Sequence, residues 1–100
     1  MIVISGRLPV RSDQRDRAVA AATALMTATQ AEEGCAEYTF SADLADPDAF
    51  CFFERWESED ALKAHQRSAH MKEFMGVAAE VLAGAPEGTR YDVSGSAPLF

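Results

Sequence analysis

Hydrophobic and polar positions alternate from the start of the chain. In IVISGRLPV, residues 2–10, Ile2, Ile4 and Leu8 share one side and Val3, Ser5 and Arg7 the other. Period two predicts a strand, and Pro9 suits its end. From Gln14 to about Thr29 the period lengthens, and Ala18, Ala22, Leu25 and Thr29 are spaced as one helix face that Val19 and Met26 widen. Ser12 or Asp13 can cap this helix, and Glu32, Glu33 and Gly34 end it. Alternation returns from Cys35 to Asp43, with Ala36, Tyr38, Phe40 and Ala42 opposed to Glu37, Thr39 and Ser41. Asp46-Pro47-Asp48 is a turn, because proline presets φ and aspartate caps the bend. Ala49 to Glu57 is dense in β-formers and completes a hairpin. Ser58 caps a short helix to about Arg67, with Leu62 and His65 on one face. Ser68 caps a second segment, in which Met71, Phe74, Met75, Ala78, Val81 and Leu82 recur at helical spacing until Gly84 and Pro86. Thr89 to Ser94 alternates weakly as a last strand.

The order β-α-β-β-α-β predicts an α+β, ferredoxin-like fold with a four-stranded antiparallel sheet and helices on one face. Phe50, Phe52 and Trp56 share one side of their strand, while Cys51 and Phe53 lie on the other. Apolar residues on both sides argue for burial on both faces. A chain of 100 residues has no second layer to supply, so a homodimer packed through its sheet faces is expected. Glu54 and Arg55, in the same strand, are then expected to make an ion pair or hydrogen bond across that interface, with a substrate contact as the alternative.

The length sets a single domain over 1–100, with its core at about 2–95 and a short tail at 95–100. A net charge of −7 with scattered arginines argues against nucleic acid and anionic membranes as partners. No apolar run is long enough to span a bilayer and MIVISGRLPV has no basic leader, so a cytoplasmic protein is expected. Cys35 and Cys51 are too few for a disulfide scaffold and are read as reduced, buried thiols.

Three stretches carry a family likeness: EEGCAEYTFSAD (32–43), CFFERWESEDALKAH (51–65) and SAHMKEF (68–74). Over about residues 2–95 the chain resembles the antibiotic biosynthesis monooxygenase family of small dimeric α+β barrel proteins. The resemblance implies quinol-monooxygenase-like chemistry, a dimeric barrel and a small-molecule substrate. Glu33 stands where the family often has proline. The family's haem-degrading branch carries an Asn, a Trp and a His ligand at places that fall here near Gly6, His65 and Met75, so haem chemistry is not expected.

Oxygenation without a cofactor needs a base, a hold on the substrate anion and exclusion of water. Histidine is suited to the first task, and the chain has two, His65 and His70. On one continuous helix they would point about 140° apart, so they converge only if the chain bends near Ser68. Tyr38, Trp56, Phe53, Met71 and Phe74 are the candidate substrate-binding residues, Tyr38 and Trp56 foremost because they carry polar handles; Tyr91 is a further candidate. Two histidines and scattered carboxylates show no ligand spacing, so no metal site is expected. No P-loop or G-x-G-x-x-G occurs, so no cofactor is expected either. Two other functions fit the same residues: isomerisation of a small metabolite by a two-histidine proton shuttle, and a non-catalytic, ligand-binding stress-response dimer.

Overall fold

The alternating segments form four strands, β1 (Ile2–Pro9), β2 (Cys35–Ala42), β3 (Ala49–Trp56) and β4 (Glu87–Asp92). Three α-helices join them, α1 (Arg15–Gln30), α2 (Glu59–Gln66) and α3 (Ala69–Val81). The computed structural model describes residues 1–100. All neighbours in the sheet are antiparallel, in the order β2-β3-β1-β4, the ferredoxin-like arrangement.

Both serine caps form as expected: the side chain of Ser58 accepts from the Ala61 amide and that of Ser68 from the Met71 amide. The start of α1 differs. A 3-10 turn, Ser12–Gln14, precedes it, and neither Ser12 nor Asp13 caps the helix; Gln14 holds the N-cap position without a side-chain bond. Gly34 takes φ 81° at the turn into β2, a conformation glycine adopts without strain. A β-carbon there would also meet that of Ala61 at 2.5 Å.

Register decides which side chains face the helices. Ile4 lies opposite Glu54, which lies opposite Tyr38; one step along, Gly6 lies opposite Phe52, which lies opposite Phe40. These residues share the helix side with Ile2, Leu8, Phe50 and Trp56. Ala18, Ala22, Leu25 and Thr29 of α1 are buried, the face its spacing predicts. Val19 and Met75 are not, at 39% and 60% exposed, so both helix faces are narrower than their apolar residues suggest.

The core has two parts. One is wholly apolar: Leu8, Val10, Ala18, Ala22, Phe50 and Val81. The other groups Ile2, Leu25, Tyr38, Trp56 and Leu62. The buried polar residues, Thr29, Glu54 and His65, accompany the second part.

The opposite sheet face carries Val3, Ser5, Thr39, Cys51, Phe53 and Arg55. Phe53 and Tyr91 are exposed there. Glu54 and Arg55 each have a partner within the chain. Arg55 Nε pairs with Glu37 Oε1 on the neighbouring strand at 3.0 Å. Glu54, on the helix side, accepts from Trp56 Nε1 at 2.9 Å. Alternation separates the two residues, and each finds a partner within its own chain. No helix is long and apolar enough to cross a membrane.

Candidate active site

The bend between α2 and α3 creates the site. Ser68 ends one helix and starts the next: its hydroxyl donates to the His65 carbonyl at 2.7 Å and accepts from the Met71 amide at 3.2 Å. Its own amide also donates to the His65 carbonyl. The bend turns the His65 and His70 rings toward each other, with centroids 6.0 Å apart.

Glu32, in the turn after α1, joins them. His65 Nδ1 lies 2.9 Å from Glu32 Oε2 and His70 Nε2 lies 2.8 Å from Glu32 Oε1. One carboxylate thus serves two imidazoles, one through each oxygen. A carboxylate accepts and cannot donate, so the proton of the first contact sits on His65 Nδ1 and leaves Nε2 as the basic nitrogen.

Aromatic rings hold His65 in place. Trp56 lies 4.7 Å from it at 34°, and Tyr38 meets it edge-on at 5.2 Å. Burial of the ring disfavours its charge and lowers the His65 pKa below the ordinary histidine value, against the opposing pull of Glu32. At neutral pH the imidazole is therefore uncharged and able to take a proton. Burial raises the Glu54 carboxyl above its usual range, opposed by the Trp56 hydrogen bond and reinforced by the charge of Glu32. It also raises the Tyr38 phenol and the Cys35 thiol, which both stay neutral.

Space adjoins the cluster. A cavity of about 180 Å³ between α1 and α3 is lined by Leu25, Ala28, His70, Glu73, Phe74 and neighbouring residues. On the far side of α3 an apolar cavity of about 400 Å³ runs past Leu8, Phe74, Met75 and Leu82. Phe74 borders both. Ile4, Phe52 and Met71, all on the helix side, are only half-buried.

The structure brings together His65, His70, Tyr38 and Trp56, with Met71 and Phe74 packed against the same part of the core. Phe53 is not brought in, because its strand position turns it to the opposite, solvent-facing side of the sheet, at 37% exposed. Tyr91 faces that side too. Glu32 and Glu54 are additions. Glu32 stands 33 residues before His65, so no local spacing links them; the EEGC turn was the one available signal. The carboxylate also gathers with both imidazoles a donor set for which the sequence shows no ligand spacing.

Known proteins are similar to this chain in sequence and fold. A family model described as antibiotic biosynthesis monooxygenase matches residues 1–77, a span that includes Glu32, Tyr38, Glu54, Trp56, His65 and His70. YcnE of Bacillus subtilis is 29% identical over 94 residues, which are 94% of this chain and 99% of that protein. Rv0793 of Mycobacterium tuberculosis is 32% identical over 81 residues, 81% of this chain and 79% of that one. The solved structure of Rv0793 superimposes with a TM-score of 0.89 over 97% of this chain and 98% of that one. The structure of a conserved protein from Methanosarcina mazei Go1 aligns with a TM-score of 0.85 and 28% identity, covering 90% and 89% of the two chains.

Proposed function

The chain belongs to the antibiotic biosynthesis monooxygenase family, and on that premise we propose that it oxygenates a small aromatic or quinol-like compound with O₂. The observation that carries the reading is the neutral His65, fixed through Nδ1 by Glu32 and packed against Trp56 and Tyr38, with its ring 6.0 Å from that of His70, which lines the cavity between α1 and α3. His65 Nε2 takes the acidic proton of a phenol or of an enolisable ring CH₂, and Glu32 stabilises the imidazolium that forms. The anion is then electron-rich enough to reduce O₂. A substrate carbon becomes a carbonyl, one oxygen atom enters it and the other leaves as water. The substrate supplies all four electrons, so the balance closes without an external reductant. Phe74, Met71 and the half-buried Phe52 offer apolar walls that stack on a planar ring and exclude water. The molecule works as a homodimer in this reading: Phe53 and Tyr91, exposed on the uncovered sheet face, are the residues a second copy would bury.

Oxygen uptake tests the proposal. Chelator-treated protein is given a panel of quinols, naphthols and anthrones, without added metal or flavin, as wild type and as His65→Gln. Uptake by wild type that the substitution abolishes, with fold intact, supports it. Uptake that survives the substitution removes His65 as the base, and no uptake on the whole panel removes the oxygenase reading.

A second reading draws on the sharing of Glu32 between two imidazoles. A proton taken at one ring and returned at the other is the chemistry of an isomerase. Conversion of a hydroxy-ketone without O₂ would favour it.

A further inference from the structure

The Glu32, His65 and His70 cluster has a geometry that proton transfer alone does not require. We propose that these three residues form a binding site for a divalent transition-metal ion, with His65 Nδ1, His70 Nε2 and a Glu32 oxygen as ligands. The inference does not rest on the oxygenase reading, since a metal at His65 Nδ1 displaces the proton held there and the metal-bound and base-competent states exclude each other; its test needs no substrate.

Three observations support the site. The first is convergence: the donor atoms of the three residues all lie within 4.8 Å of one another. Ligands bound at 2.0–2.1 Å lie roughly 3.0–3.4 Å apart when adjacent on a metal. The two imidazole–carboxylate separations, 2.9 and 2.8 Å, are already close to that spacing. Closure thus asks for a small approach of the two rings and little more.

The second is the state of His70. Its Nε2 is buried and lies 2.8 Å from Glu32 Oε1, yet it makes no hydrogen bond of acceptable angle with that oxygen or any other atom. Nitrogen and oxygen are close without pointing at each other. Two donor atoms aimed at a common third point have this relation; His65 Nδ1 instead donates to Glu32 Oε2, and a metal there would take the place of that proton.

The third is the electrostatic setting. Glu32 has no lysine or arginine partner and its only ionic contacts are the two imidazoles, so a cation has no internal competitor. The chain's net charge of −7 favours accumulation of cations over anions. Side-chain exposures of 3% for His65, 19% for Glu32 and 27% for His70 leave one side open, where water completes the coordination. Two imidazoles and one carboxylate with open positions suit Fe²⁺, Zn²⁺ or Co²⁺, and exclude the hard, all-oxygen sites of Ca²⁺ and Mg²⁺. The ligands come from three elements, the turn after α1, the end of α2 and the first turn of α3. A bound ion would therefore tie these segments together.

The test titrates tag-free, chelator-treated protein with Zn²⁺ by calorimetry and with Co²⁺ by visible absorption. The expected result is one ion per chain with Kd at or below about 10 μM. Glu32→Gln and His70→Gln should each weaken binding by at least about 10–100-fold, the range for losing even an outer-shell partner of a metal ligand. Circular dichroism confirms that both variants fold. Imidazole ¹⁵N spectra with Zn²⁺ should move His65 at Nδ1 and His70 at Nε2. Binding that survives both substitutions, no saturation by millimolar metal, or unmoved imidazole nitrogens would each overturn the site.

Discussion

The two parts of the core differ in what they bury. Around Phe50, Leu8, Val10 and Val81 every buried side chain is apolar. Around Trp56 and Tyr38 the same sheet and the same helix α1 enclose a carboxyl, an imidazole and a threonine hydroxyl. Buried polar groups cost stability unless paired, and a buried carboxyl without a cation costs more. The apolar part therefore stabilises the fold, and the polar part carries the chemistry at some cost to that stability. The division follows the molecule's length: the polar part gathers at the end of the sheet where Trp56, the α2–α3 bend and the turn after α1 meet.

The largest expected effect lies in the apolar part. Phe50→Ala should lower stability by about 3–5 kcal/mol, the usual cost of emptying a buried aromatic position. Denaturant unfolding measures it, and the titration of His65 should stay as it was. The matching change in the polar part is His65→Gln. It should reduce kcat/KM at least about 100-fold, the range of a lost general base, while unfolding shows a retained fold. If Phe50→Ala abolished turnover in still-folded protein, or His65→Gln unfolded the chain, the division would fail.

Glu54→Gln sharpens the comparison. Glutamine keeps an acceptor for Trp56 Nε1 and removes a buried charge that has no cationic partner. Stability near neutral pH should rise by about 1 kcal/mol. Because burial raises the folded-state pKa of Glu54, the folded chain holds a proton that the unfolded chain has lost as pH rises above the ordinary carboxylate value. Stability falls through that window in the wild type, and the substitution should remove this fall.

The smallest effect is the opposite one at His65. Its folded-state pKa is lowered, so on acidification the unfolded chain takes the proton first. Its contribution is present above the unfolded value of about 6.5 and is lost as pH falls toward the folded value. Denaturant midpoints measured across pH 5 to 8 should show this acid limb in wild type and in Phe50→Ala, and not in His65→Gln. An acid limb that persists in His65→Gln would place its source elsewhere.

Much of the apolar part was legible in the sequence, because burial there follows periodicity. Ala18 and Ala22 are buried on the face of α1 that its spacing predicts, and strand alternation places Leu8 and Phe50 on the helix side. The bend at Ser68 was legible too, since a serine cap between two helical runs has a local mechanism. The polar part was less so. Glu32 sits in a turn whose residues read as helix-ending, and only the fold brings it to the imidazoles. Glu54 and Arg55 read as charges awaiting a partner chain, because the strand looked apolar on both sides. Their partners, Trp56 and Glu37, are fixed by side-chain direction and strand register. The 3-10 turn before α1 and the exposure of Met75 have no counterpart in periodicity, which records apolar spacing and not what covers it.

The claim on which the rest depends is that burial keeps His65 neutral while Glu32 fixes its proton on Nδ1, leaving Nε2 free to act as base. Imidazole ¹⁵N spectra of chelator-treated protein through a pH titration test it directly. The account predicts the Nδ1–H tautomer at neutral pH, a His65 pKa below the ordinary 6.5, and loss of the tautomer preference in Glu32→Gln. An Nε2–H tautomer, or a His65 that is already protonated at pH 7, would contradict it.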